Sequence, residues 1–290
     1  MNCQLPRDLK ARYKEGRLIP FIGAGISMSV SWETPDGKSH RGPSWKELVD
    51  QAGRMMGFED PELLRVRGSD LQILEYYRIK SHQQLAELRN WFLNEMRAPD
   101  EALRDSAIHT ALAQLTNCDL FYTTNYDDFI ERSLGLHGRM AYPVAVESHI
   151  ASAMKKKASG TVADAVEIVK FHGDLSNPER MVLSESDYER RLKLAEVEDQ
   201  RLLSDVLGRA ILFLGYSFRD WNVSYLFRIV NDQFGPLPLA ATGRRAYIVV
   251  ADPSDFEAEL FRARNIEVIP IRSSHRTEDT VKIIEGLADA

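Results

Sequence analysis

Cysteine is nearly missing from this chain: there are two in 290 residues, Cys3 and Cys118. Two thiols so far apart cannot furnish a four-cysteine zinc site, and no Cys-x-x-Cys or His-x-x-x-His spacing occurs, so no metal is expected. Long hydrophobic runs are also absent, which excludes a membrane-spanning helix of the usual kind. The opening Met-Asn-Cys-Gln-Leu-Pro-Arg lacks the charged-then-apolar pattern of a signal peptide, so a soluble cytoplasmic protein is expected. Basic charge is in short supply. With 37 Lys and Arg against 43 Asp and Glu the net charge is −6, which argues against a dedicated nucleic-acid binder. The one basic run, Lys155-Lys156-Lys157, lies in a polar stretch ending at Gly160 and reads as a solvated loop. No internal repeat or low-complexity linker occurs.

What is present is a globular composition, 44% hydrophobic and 28% charged, with short apolar runs alternating with helical patterns. Residues 5–15 read as an amphipathic helix leading into a strand at about 18–22. Residues 28–43, rich in Ser, Gly, Pro and His, read as a long loop. Ser44 and Glu47 form a capping signature for a helix start, and the pattern is helical from there to about 117. Strands are expected at 119–123, 166–171, 210–214, 246–250 and 266–271. Helices are expected at about 127–135, 185–208, 220–233, 256–264 and 277–288. This alternation predicts an α/β fold: a Rossmann-like doubly wound parallel sheet with an inserted helical module. The core would cover about 15–44 and 118–290, and the insert about 45–117.

Four motifs sit just after apolar runs, where the strands of such a sheet end and its ligands bind. The first is Gly23-Ala24-Gly25-Ile26-Ser27. Glycines at a strand-to-turn junction allow backbone N–H groups to approach a phosphate, although a tight turn that is only structural has the same composition. The second is Thr123-Thr124-Asn125-Tyr126-Asp127, the third Phe171-His172-Gly173-Asp174, and the fourth Leu214-Gly215-Tyr216-Ser217. Gly23, Ala24, Gly25, Ser27, Thr124, Gly215 and Ser217 form the candidate ligand-binding set. Asp252, after the strand at 246–250, suits a ribose diol and equally suits a helix cap.

Asn125, His172 and Asp127 are the candidate catalytic residues. A histidine can be neutral near pH 7 and accept a proton from water or a ribose hydroxyl. An asparagine amide can position that water or ribose without competing for the proton. The pair suits cleavage of an N-glycosidic bond, and Asp127 could accept from a carboxamide leaving group. A lone His-Gly-Asp could be a turn histidine. The four motifs in this order favour a reactive site.

Taken together these residues resemble the sirtuin superfamily. Gly23-Ala-Gly-Ile-Ser27 looks like its first phosphate loop, and Thr123-Thr-Asn-Tyr-Asp127 like its Thr-Gln-Asn-Ile-Asp motif. His172-Gly173 resembles the catalytic His-Gly, and Gly215-Tyr-Ser217 the Gly-Thr-Ser. The resemblance implies a Rossmann-type sheet with a smaller inserted module, and NAD as the ligand. Two departures matter. The four zinc cysteines of protein-deacylating sirtuins have no counterpart, and Met28-Ser-Val-Ser-Trp-Glu-Thr-Pro-Asp36 replaces the family's Gly-Ile-Pro-Asp-Phe-Arg. Both are similar to the zinc-free branch found in bacterial antiphage defence, as are Pro43-x-Trp45-x-x-Leu48 and Gly215-Tyr-Ser-Phe-x-Asp220.

That branch implies hydrolysis of NAD to ADP-ribose and nicotinamide by Asn125 and His172, in abortive infection. It also implies restraint until infection, by homo-oligomer assembly or by a partner such as a HerA-type ring ATPase or an Argonaute-like protein. No room for a sensor domain is evident. Three other readings stand beside it: a zinc-free deacylase or ADP-ribosyltransferase, a non-catalytic module that binds NAD or ADP-ribose, and a structural subunit.

Overall fold

The computed structural model describes residues 5–82, 84–145, 165–176, 180–216, 244 and 246–290. Seven of its strands form one parallel sheet: β1 (Leu18–Ile22), β4 (Leu120–Thr123), β5 (Ala141–Val144), β6 (Val166–Lys170), β7 (Ala210–Leu214), β8 (Ala246–Ala251) and β9 (Ile266–Ile271). Their order is β5-β6-β4-β1-β7-β8-β9. The chain runs outward from β1 on one side, returns, and runs outward on the other from β7. The strand order therefore reverses at the β1–β7 border, the place where a doubly wound sheet opens a crevice for ligand.

The central strands β1, β4, β6 and β7 are buried throughout, which is why β1 and β7 read as unbroken apolar runs, while β6 carries Glu167 and Lys170 within its apolar pattern. One face carries an aromatic layer. Phe21 lies 5.2 Å from Phe213, 5.8 Å from Tyr122 and 6.1 Å from Phe171, ring centre to ring centre. Leu202, Val206 and Phe261, from the helices Val197–Gly208 and Asp255–Ala263, close over it. On the other face Leu18, Ile22, Leu212 and Leu214 meet Leu9, Ile108, Leu112, Ile283 and Leu287. Burial of whole aliphatic side chains on this scale, about 1.5–3 kcal/mol each, holds the helices to the sheet.

A third cluster organises the helical region between β1 and β4. Leu48, Val49, Ile73, Leu74, Leu88, Phe92 and Leu103 pack together and against Tyr126, Phe129, Met181 and Leu183. The inserted helices thus rest on the turn after β4 and on the segment after β6. Polar contacts fasten the same junction. The Ser186 amide and hydroxyl donate to Glu75 at 3.1 and 2.7 Å, and Arg78 pairs with Asp187 at 3.5 Å. Burial alone would raise the Glu75 carboxyl, but the Ser184 and Ser186 hydroxyls, the Ser186 amide and the Arg78 charge bring it down to about 2.

The helix start at Ser44 has the expected capping box with Glu47. Two local expectations need correction, and two further elements carry no sequence signal. The loop at 28–43 contains an antiparallel hairpin, β2 (Ser31–Glu33) and β3 (Ser39–Arg41), whose residues are exposed or half-buried and so carry no apolar alternation. The helical region 185–208 is two helices, Glu185–Arg191 and Val197–Gly208, separated at Leu194 by a left-handed backbone (φ 50°). β5 went unpredicted because it is an edge strand containing Pro143. The helix that follows β1 is a single turn, Ala24–Ser27. The expected helix at 220–233 and the basic run at 155–157 lie outside the described residues.

Candidate active site

The first, second and fourth motifs meet through hydrogen bonds at the carboxyl edge of the sheet. Gly23 N–H donates to the Leu214 carbonyl at 2.9 Å, and Gly25 N–H to the Gly215 carbonyl at 2.8 Å. The two glycine turns therefore face each other backbone to backbone across the β1–β7 border. A Cβ on Gly23 would sit 2.6 Å from the Gly215 oxygen, and one on Gly25 2.8 Å from it. Gly215 is in the left-handed region (φ 61°), and a Cβ there would meet the Ile26 nitrogen at 2.5 Å. These glycines are required first by each other. The expected amide donor at Gly25 is already used, and the exposed part of the turn is Ala24 and Gly25.

The second motif supplies a buried hydrogen-bond chain. Thr123 Oγ1 donates to the Ile22 carbonyl at 2.9 Å and accepts from Asn125 N–H at 3.0 Å, which fixes the turn after β4. Asn125 Nδ2 donates to the Gly23 carbonyl at 3.1 Å and to Ser27 Oγ at 2.8 Å. Ser27 Oγ in turn donates to Asp127 Oδ2 at 2.8 Å. The Gly23 carbonyl can only accept, so the amide orientation is determined by the network. Its oxygen, Asn125 Oδ1, is buried and has no hydrogen-bond partner among the described residues.

Asp127 thus has two inward partners, Ser27 on Oδ2 and the Phe129 amide on Oδ1 at 3.1 Å. It polarises Ser27 and, through it, Asn125. Ser27, Asn125 and Asp127 are 4–5% exposed, so the chain is shielded from water. Thr124 is half-buried, its N–H donating to the Ile22 carbonyl at 3.3 Å.

His172 lies at the end of β6, the strand beside β4, and is buried. Phe171 N–H donates to the Thr123 carbonyl at 2.8 Å, joining the two motif turns. Gly173, in the left-handed region (φ 78°), turns the chain back so that Val182 N–H reaches the His172 carbonyl at 3.0 Å. The imidazole contacts the rings of Phe171 and Tyr188, each 5.6 Å away.

Three supporting groups were not singled out from the sequence. Lys170 is fully buried, pairs with Glu131 at 3.1 Å and donates to the Asp127 carbonyl. Burial opposes its charge, but Glu131, Asp127 and Asp174 hold the ammonium above its ordinary range. Burial raises the Glu131 carboxyl against the pull of Lys170. Arg191 donates to Asp199 and to the Phe171 carbonyl at 2.9 Å, and lies 4.4 Å over the Phe171 ring. It thereby anchors the residue before His172. Tyr188 is the third. A signal existed for Lys170: a lysine within the run Val-Glu-Ile-Val-Lys of a fully covered strand must find a buried counter-charge.

Asp252, at the end of β8, adopts a left-handed backbone (φ 44°) and accepts from the Ser273 amide at 3.2 Å. Its carboxylate is exposed, and this contact caps the turn after β9. Ser217 lies outside the described residues. Among the described residues no group of three or more His, Cys, Asp or Glu is placed to hold a metal ion, and no helix is long and apolar enough to cross a membrane. Burial pushes the Cys118 thiol up to about 12, so it offers no thiolate.

The model of the SIR2-like domain matches residues 119–269, just over half of the chain, including the Asn125, His172 and Gly215 turns. The chain belongs to the SIR2-like family. Relatives bear the name NAD(+) hydrolase ThsA. That of Bacillus cereus is 25% identical over 267 residues, covering 90% of this chain and 50% of that protein. That of Acinetobacter baumannii is 27% identical over 222 residues, covering 76% and 40%. That of Cytobacillus dafuensis is 28% identical over 228 residues, covering 78% and 40%. This SIR2-like chain spans half or less of the length of these curated relatives. A solved structure described as "Structural Basis for the Mechanism and Regulation of Sir2 Enzymes" is 14% identical with a TM-score of 0.40, covering 98% of each chain. The strand order and motif geometry above, rather than that overall likeness, define the fold.

Proposed function

We propose that this chain hydrolyses NAD at the bond between nicotinamide and ribose, releasing nicotinamide and ADP-ribose, as the NAD-depleting effector of an antiphage defence acting by abortive infection. The observation that carries the reading is the amide of Asn125. Its nitrogen is committed to Gly23 and Ser27, and its oxygen is buried with no hydrogen-bond partner among the described residues, at the strand end next to His172. A buried acceptor of this kind is a cost unless a ligand or water completes it.

In the proposed reaction the pyridinium leaves with the bonding pair and positive charge develops on the ribose. A water attacks the anomeric carbon, giving ADP-ribose, nicotinamide and one proton. Asn125 Oδ1 accepts from the attacking water or a ribose hydroxyl, and His172 takes the proton. Asp127, through Ser27, keeps the amide in the productive orientation. The pyrophosphate lies at the β1–β7 border against residues 24–25. The names of the relatives support NAD as substrate. No metal takes part.

The protein works in the cytoplasm and is held off until infection by self-assembly or by a second protein, of the ring ATPase or Argonaute-like kind. The insert is the surface for that restraint. Tyr126, within the second motif, donates from its hydroxyl to the Val182 carbonyl at 2.7 Å and meets Phe92 of the insert edge-on at 6.0 Å. A shift of the insert is therefore felt at both motif turns. The test is incubation of the purified chain with NAD at several protein concentrations, with and without an acylated peptide. Nicotinamide and ADP-ribose in equal amounts without peptide support hydrolysis. Turnover only with peptide, yielding a modified peptide, overturns it.

A further inference from the structure

A cavity of about 350 Å³ opens at the carboxyl end of β6, lined among others by Lys170, Phe171, Arg180, Arg190, Arg191 and Glu198. It flanks His172 through Phe171 and Gly173, but no residue of the glycine turns lines it, nor does Asn125. Its lining is polar, and its charges are unevenly satisfied. Lys170 has Glu131 and Arg191 has Asp199. Glu198 is 4% exposed and makes no hydrogen bond or ion pair among the described residues. At the rim Arg180 and Arg190 share Glu196 at 3.8 and 4.0 Å, distances too long for good hydrogen bonds. Arg190 also pairs with Asp187 at 3.2 Å, and each guanidinium is half exposed, with donors to spare.

These features select a ligand chemistry. A carboxylate that opens on the cavity with no hydrogen-bond or ion-pair partner among the described residues is a ready acceptor for a ligand's hydrogen-bond donors. The donors are neutral, because Lys170 and Arg191, which line the same cavity, repel a cation. They are not on the ligand's anionic group, because Glu198 repels that. The anionic group belongs at the rim, where two guanidiniums have surplus donors. A vicinal diol at one end and a phosphate at the other meet both demands. The volume is at the small end for ligand pockets and suits a pentose phosphate rather than a dinucleotide.

We propose that this cavity is a second binding site, for a small sugar phosphate, with the sugar hydroxyls donating to Glu198 and the phosphate held by Arg180 and Arg190. The proposal does not depend on the NAD reading. The test is titration calorimetry of the full chain with ribose 5-phosphate, and separately with ribose and with inorganic phosphate. Saturable binding of ribose 5-phosphate, tighter than either fragment, is expected. Glu198→Gln, which keeps shape and removes the charged acceptor, should weaken it about tenfold or more without lowering the melting temperature. The double variant Arg180→Gln/Arg190→Gln should bring affinity down to that of ribose alone. Asn125→Ala, which alters the other site, should leave it unchanged. No saturable binding overturns the proposal. So does binding that survives Glu198→Gln, or that is lost in Asn125→Ala.

Discussion

Replacing Ser27 by alanine probes the hydrogen-bond chain at its middle link. The hydroxyl accepts from Asn125 Nδ2 and donates to Asp127 Oδ2, both at 2.8 Å. Without it Asp127 keeps the Phe129 amide on its other oxygen, and Asn125 keeps the Gly23 carbonyl. The loss is one hydrogen bond to a charged acceptor, worth about 1.5–3 kcal/mol, and one neutral bond, worth about 1 kcal/mol. The site is almost closed to water, so little is recovered by solvation. A destabilisation of about 2–4 kcal/mol follows, seen as a drop in melting temperature of very roughly 4–15 °C.

Activity should respond differently from binding. Ser27 orients the amide but does not supply the accepting oxygen, so kcat for nicotinamide release should fall while KM for NAD changes little. Asp127→Asn should act on the same chain. The double variant should therefore cost less than the two singles combined, with a coupling of about 0.5–3 kcal/mol in urea unfolding. Strict additivity, or a Ser27→Ala variant with wild-type stability and kcat, would refute the chain as the device that sets Asn125.

Gly25→Ala and Gly215→Ala should both destabilise, Gly215→Ala the more, since it adds a left-handed backbone penalty of about 1–2 kcal/mol to its steric clash. Denaturant midpoints check this, and a neutral Gly215→Ala would contradict the facing turns. Lys170→Met should cost about 3–5 kcal/mol by stranding Glu131, whereas Lys170→Met/Glu131→Leu should recover much of it. A double variant as unstable as the single would disprove the pairing. Burial, with the His137 charge adding to it, holds His109 down at about 4, below the ~6.5 of an unfolded histidine. Its neutral form therefore stabilises the fold fully above pH ~6.5, and that contribution is lost as pH falls toward 4, by about 3 kcal/mol in all. His109→Gln should flatten this part of the stability profile, and an unchanged slope would contradict it.

Much of the fold was legible because buried parallel strands announce themselves. The runs that became β1, β4, β6 and β7 are covered on both faces, and chain order alone placed their turns at one edge. The capping box at Ser44 and Glu47 was equally local. What stayed hidden depends on tertiary contact. The hairpin β2–β3 presents no buried face, and the break at Leu194 leaves no glycine or proline to mark it. The roles of Ser27 and Asp127 emerged only when residues 100 positions apart came within a hydrogen bond. The backbone-to-backbone contact of Gly25 and Gly215 leaves no mark of its own in the sequence, because a ligand turn requires the same residue. The pairing of Arg191 with Asp199 and the seat of Arg191 over Phe171 leave no mark in the charged stretch 185–208.

In the proposed reaction Asn125 and His172 together break the nicotinamide–ribose bond. The most direct measurement is the rate of nicotinamide release from NAD by the wild-type chain, Asn125→Ala and His172→Ala, under the condition giving highest wild-type turnover. Folding of each variant is verified by thermal melting. Measurable wild-type release is expected, with a loss of about 10²–10⁴ in rate for His172→Ala and a comparable loss for Asn125→Ala. Folded variants that release nicotinamide at the wild-type rate would contradict those roles.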